Sequence, residues 1–239
     1  MVLPNRDVKI QWFMEMLPIL SPLGRCLVFV ATRADCDVLS QMVQNSPPFT
    51  VGGPCSTSKI VSIHGDKDQR DRNAAISQFK NNPQAILIAT DVASRGLDVP
   101  DVMVVISFDA AKSMDAHVHR VGRAGRLRSN SGSEAAAAAE HQRGVAYTLL
   151  TTSNKKDANF AASLAEAFDR EGREVSPELA ALCHKSNRYG GGRVKHSKDG
   201  LGFEGVGAGA SGASAGMART SYYGPSSIGR PEKKKSRWS

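Results

Sequence analysis

Aromatic residues are scarce in this chain, 6% of 239 residues with only two tryptophans, and there are only four cysteines. Cys26, Cys36, Cys55 and Cys183 form no CxxC pair and follow no disulfide-like rhythm, which argues against a zinc ribbon and a disulfide-stapled scaffold. They are expected as reduced thiols in the cytosol or nucleus. His117 and His119 lie two apart with no cysteine nearby, so no metal site is expected there. No apolar run approaches the roughly 18–20 residues of a membrane-spanning helix, and no membrane partner is expected. Met1–Asp7 lacks a basic region followed by an apolar stretch, so no secretory signal is read. Acidic residues are in short supply in one place only. Residues 187–239 hold 3 of them against 10 basic residues, whereas residues 1–186 hold 20 against 21. The formal charge of +8 therefore belongs almost wholly to the tail.

What is present fits one substantial domain with a remainder. From Lys9 to about Phe168, short apolar runs alternate with amphipathic stretches, the signature of an α/β domain. Five runs read as strands: Cys26–Ala31, Ile60–Ile63, Ala85–Ala89, Val102–Ser107 and Val145–Leu150. Most are continuously apolar, as parallel strands covered on both faces should be. Helices are expected over Ala34–Gln44, with Val38, Met42 and Val43 inward, over Asp68–Phe79, with Ala75, Ile76 and Phe79 inward, and over Asn159–Glu171. Ser176-Pro177 reads as an N-cap followed by a first-turn proline, opening a last helix through Cys183.

Two stretches interrupt the domain, which is read as residues 1–186. Residues 46–58 form a Pro/Gly/Ser loop, and residues 127–143 carry a penta-alanine insertion. Residues 187–239 hold 12 of the 22 glycines and end near Lys233-Lys234-Lys235. With little apolar material to offset the ordering entropy, this basic low-complexity tail is expected to be disordered.

Parallel sheets bind ligands beyond the carboxyl ends of their strands. There the sequence places Thr32-Arg33, His64-Gly65-Asp66, Thr90-Asp91 and, after a short segment, His119 to Arg126. Hydroxyls, a glycine and several arginines on one edge suit phosphate oxygens. The same residues resemble a known family. Ala89 to Asp98 (ATDVASRGLD) resembles motif V of DEAD-box RNA helicases, and His119 to Arg126 (HRVGRAGR) resembles motif VI. Leu27–Thr32 resembles motif IV, and His64 to Arg72 matches the HG…QxxR element. Four motifs in family order cover roughly residues 9–170. Ser94 and Ala124 depart from the usual alanine and threonine without removing a ligand.

The resemblance implies a RecA-like parallel sheet sandwiched between helices. It implies ATP as the nucleotide, with Arg123 and Arg126 as arginine fingers and Asp98 on the ribose. It further implies Thr32, Gly65, Arg72, Thr90 and Arg95 as contacts to the backbone of single-stranded RNA, and Gln69, His119 and Arg120 as the set coupling nucleotide to RNA. Simpler roles stand beside these. Thr32 and Thr90 suit helix capping, Asp98 suits a turn before Pro100, His119 suits a structural role, and the arginines suit a solvated loop. The local stretches Gly144–Thr151, Asn159–Ala161, Gly190–Gly192 and Gly200–Phe203 resemble a splicing-associated subgroup. That implies a nuclear setting and spliceosomal proteins as partners.

Neither the phosphate-binding GxxxxGK[ST] string nor Asp-Glu-Ala-Asp occurs in the 239 residues. These would hold the β- and γ-phosphates and Mg²⁺, and the 25 residues before the first strand leave no room for such a half. The expectation is the C-terminal half of an ATP-dependent RNA helicase, inactive in ATP hydrolysis without an N-terminal RecA-like partner. The alternatives are a stand-alone RNA-binding or annealing module, and a docking domain that no longer handles nucleotide.

Overall fold

The computed structural model describes residues 1–91, 102–124 and 144–186. Expectations for Arg95, Asp98, Arg126, the 127–143 insertion and the 187–239 tail lie outside the described residues.

The fold is built on five parallel strands, ordered β3-β4-β2-β5-β6 across the sheet. They are β2 (Cys26–Val30), β3 (Ile60–Ile63), β4 (Ile86–Thr90), β5 (Val104–Ser107) and β6 (Val145–Thr148). Every residue of β2, β4 and β5 is buried, which explains why these segments are apolar without alternation. Alternate side chains feed two cores. Val28, Ile88 and Ile106 point to the face covered by α1 (Arg6–Leu20) and α2 (Arg33–Gln44). Leu27, Leu87 and Val105 point to the face covered by α3 (Gln69–Asn81), through Ala75 and Phe79. This is the RecA-like sandwich expected of the sequence.

Helix α1 was not foreseen. Asn5 caps it by accepting from the Val8 N–H at 3.0 Å. Its buried stripe runs Lys9, Phe13, Leu17 and Leu20, so a lysine occupies the first position of an otherwise apolar seam. Trp12, Met14 and Met16 are partly buried around it, which blurs the helical period in the sequence. A further unforeseen helix, α4 (Met114–Val121), is capped by Ser113 and carries the arginine-rich segment.

Three expectations need correction. On α2 the buried residues are Cys36, Leu39, Ser40 and Val43, while Val38 and Met42 face solvent at 53% and 36% exposure. The stripe is rotated because Cys36, small enough to sit against the sheet, donates to the Ile88 carbonyl at 3.1 Å. The strand expected over Val145–Leu150 divides at Leu149. The Leu149 N–H still bonds Ser107 of the main sheet, whereas Leu150 bonds Met1. Leu150–Thr151 (β7) thus pairs in parallel with Val2–Leu3 (β1) as a separate two-stranded sheet. The helix expected from Asn159 begins earlier, at Lys155, and runs to Arg170 (α5). Asp157 in its first turn is buried and takes both the N–H and the hydroxyl of Thr151 at 2.7 Å.

The 46–58 loop is pinned at its base, with Phe49 and Cys55 both buried. The last helix, α6 (Pro177–Cys183), is capped by Ser176 as expected and packs with α5 in a third apolar cluster around Leu164, Leu179 and Leu182.

Between α1 and β2, Gly24 has φ +146°, and a Cβ there would meet the Met103 Cγ at 2.6 Å. Gly24→Ala should therefore lower stability by roughly 1–3 kcal/mol, read as a smaller urea midpoint with unchanged m-value.

Candidate functional site

The carboxyl ends of the strands are level. Ile63, Ala89, Phe29, Ser107 and Thr148 lie in one row across the sheet. The residues that follow them form one edge, and the chain leaves β2 and β5 in opposite directions there, the kind of switch point at which doubly wound sheets hold ligands.

Thr32 stands on this edge as the N-cap of α2, accepting from the Asp35 N–H at 3.0 Å and donating to its carboxylate at 2.7 Å. Thr32 is exposed as a residue, so capping and an external contact are compatible. Gly65 is exposed, with open space where a side chain would stand. Beside it, Arg33 pairs with Asp66, which holds the Asp66 carboxyl below its usual pKa. His64 is buried, with Nε2 3.1 Å from Asp37 and Nδ1 without a partner. Thr90 is buried at the end of β4. On α3, Gln69 donates to Asn73 at 2.8 Å. One turn on, the buried Nε of Arg72 has no hydrogen-bond partner.

The most constrained group is Arg120. Its side chain is 3% exposed, and it grips Asp91 through two parallel bonds, Nε to Oδ1 at 2.7 Å and Nη2 to Oδ2 at 2.8 Å. Nη1 donates to the Asp109 carbonyl at 2.7 Å, and the guanidinium lies 4.8 Å from the centre of the Phe29 ring. Arg120 thus joins the ends of β2, β4 and β5 to α4. This bidentate, stacked geometry is specific to arginine.

The three residues grouped as a coupling set are therefore placed differently. Arg120 is internal, Gln69 bonds within its own helix, and His119 is exposed with Nδ1 3.6 Å from Asp115. No hydrogen bond or ion pair joins the three. Arg123 follows Arg120 by one turn, its N–H donating to the Arg120 carbonyl at 3.1 Å, and its side chain is exposed. The carbonyl of Arg123 accepts from Val102, and Ala124 bridges Val102, so the segment is tied to the sheet as it leaves α4.

Asp109 and Lys9 were not singled out from the sequence. Asp109 directly follows the apolar run of β5, a position that could have flagged it. Lys9 was hidden with its helix. Among the described residues, no group of three His, Cys, Asp or Glu side chains is arranged to hold a metal ion, and no helix is long and apolar enough to cross a membrane. The exposed donors are guanidinium, hydroxyl and backbone groups, a set suited to phosphate oxygens.

The helicase conserved C-terminal domain family matches residues 8–128. DEAD-box ATP-dependent RNA helicase 24 of Arabidopsis thaliana is 38% identical over 189 residues, covering 79% of this chain and 21% of that protein. The chain spans about a fifth of the length of the curated relatives it matches. Among solved structures, the RNA-helicase Prp28 from Chaetomium thermophilum, bound to ADP, superposes with TM-score 0.53 at 28% identity, covering 74% of this chain and 37% of that one. Yeast Prp28, described as a DEAD-box splicing factor, gives TM-score 0.54 at 23% identity over 82% of this chain and 38% of that one, a likeness of fold alone.

Two outcomes follow from the site's chemistry. Arg120→Lys keeps a charge but loses the second bond to Asp91 and the fit over Phe29. It should destabilise by about 2–4 kcal/mol in chemical denaturation. His117 is buried edge-on to Phe160, its Nδ1 without a partner, and burial and the nearby Arg120 charge push its pKa down from 6.5 to about 4. Between those values the unfolded chain binds a proton that the folded one refuses. The contribution is complete above pH 6.5 and is lost as pH falls towards 4, an effect of up to ~3 kcal/mol. His117→Phe should flatten the wild-type stability slope across that range.

Proposed function

The chain belongs to the DEAD-box RNA helicases as their conserved C-terminal domain, and on that premise we propose that it serves as the C-terminal half of an ATP-dependent RNA helicase. The carrying observation is the contrast between Arg120 and Arg123. One guanidinium is buried and bonded on three sides, and the next, a turn later, is exposed. A positive charge presented from a rigid root can stabilise a transferring phosphoryl group without reorganising during the reaction.

In this reading, Arg123 and Arg126 reach the γ-phosphate and Asp98 binds the ribose. Thr32, Gly65, Arg72, Thr90 and Arg95 hold the backbone of single-stranded RNA. The exposure of Thr32 and the open space over Gly65 support that assignment. Contacts to sugar and phosphate make the binding tolerant of sequence. A basic tail over 187–239 adds salt-sensitive affinity. An N-terminal RecA-like half carrying GxxxxGK[ST] and Asp-Glu-Ala-Asp supplies the cradle for the β- and γ-phosphates and holds Mg²⁺. ATP then lies between the two halves. The stretches Gly144–Thr151 and Asn159–Ala161, which resemble a splicing-associated subgroup, support a nuclear, pre-mRNA setting with spliceosomal partners.

RNA-stimulated ATPase tests this. The chain alone should show no meaningful turnover, whereas mixing it with a DEAD-containing half should produce it. Arg123→Ala should then lower kcat by about 10³-fold or more. Robust turnover by the chain alone would overturn the division of labour. RNA affinity that survives deletion of 187–239, with ATPase never appearing in the mixture, would instead establish the stand-alone RNA-binding module.

A further inference from the structure

We propose that Lys9 is a positioning residue for the arginine-bearing segment, acting through Asp109 and Arg120. The proposal rests on the role given to Arg123 above, and its first measurement does not depend on that role.

Lys9 lies on the buried stripe of α1 with its side chain 3% exposed. An ammonium in that position needs a partner, and it has one: Nζ donates to Asp109 Oδ1 at 3.0 Å, 4.7 Å from the centre of the Phe108 ring. Arg6, the other cation of α1 near that ring, is engaged elsewhere, paired with Asp35.

Asp109 spends every polar group it has. Its second carboxylate oxygen accepts from the Ala31 N–H at 2.8 Å, and its own N–H donates to the Phe29 carbonyl at 3.2 Å. Its carbonyl is the one that holds Arg120 Nη1. Lys9, Asp109, Arg120 and Asp91 thus alternate in charge along a continuous line from α1 to α4. The line continues through the backbone bond from Arg123 to Arg120.

Without the ammonium, the largely enclosed Asp109 carboxylate keeps a single backbone donor. It then turns towards water, which moves the residue whose carbonyl fixes Arg120. Lys9 therefore does more than fill space under the sheet. It neutralises the carboxylate that sets where the arginine segment is rooted. Because Lys9 is buried and acts through Asp109, its removal should change how fast the reaction proceeds and leave ATP affinity in place.

Amide exchange on the full chain reads the linkage directly. In Lys9→Met, the Arg123 and Ala124 amides should exchange about tenfold faster, while Val28 and Ile88 in the central strands stay near wild type. Adding Asp109→Asn removes the stranded charge and should restore protection at Arg123 and Ala124. In the mixture with a DEAD-containing half, Lys9→Met should lower kcat with little change in the KM for ATP, and the double variant should recover it. Unchanged exchange at Arg123 and Ala124 overturns the proposal, as does an equal rise across all amides, which marks a purely stabilising lysine. If Lys9→Met does not fold, the double variant decides: wild-type protection supports the proposal, and lost protection at Arg123 with intact central strands overturns it. Should Arg123→Ala leave ATPase unaltered while exchange behaves as expected, the linkage stands and the role assigned to Arg123 fails.

Discussion

The bidentate pair between Arg120 and Asp91 is the contact on which the functional edge depends. It joins two segments 29 residues apart in sequence, and it lies where burial makes an unpaired charge expensive. One partner alone would be strongly unfavourable, so the two must form together. The Asp109 carbonyl and the Phe29 ring complete the enclosure. The exposed side chain of Arg123, one turn after Arg120 and bonded to it through the backbone, is mounted on this internal framework.

Buried ion pairs are weak arguments for stability, because desolvation offsets most of the attraction. Their value here is geometric. A hydrophobic contact between α4 and the sheet would tolerate sliding, whereas a fork of two hydrogen bonds sets both position and rotation. The alternation of Lys9, Asp109, Arg120 and Asp91 keeps the cluster neutral while letting each residue belong to a different element. Charge elsewhere serves another purpose. The net +7 of residues 187–239 is suited to sequence-blind attraction, whereas in the nearly neutral remainder Lys9 and Arg120 are buried and paired.

Much of the architecture was legible because burial on both faces writes itself into composition. The apolar runs at Cys26, Ile60, Ala85 and Val102 became strands of one parallel sheet, and the Ser176-Pro177 cap opened the helix it promised. Other elements were hidden for physical reasons. Helix α1 is apolar around most of its circumference, so its period fades, and its buried Lys9 reads as a surface residue until Asp109 is found opposite. Helix α4 spans only Met114–Val121 and is held by tertiary bonds more than by propensity. The rotation of α2 that exposes Val38 follows from the fit of Cys36 against the sheet, which no hydropathy pattern records.

The sequence by itself determined the α/β class, the motif order and the identity of the edge on which ligand-binding groups collect. These follow from local composition and from the rule that parallel strands end together. Only the tertiary structure decided which of those groups face inward. His119 and Arg120 are neighbours in the chain and both polar, yet one is exposed and the other is the pin of the domain. Helical geometry turns successive side chains about 100° apart, and only the positions of Asp91, Asp109 and Phe29 determine which of the two finds a buried partner.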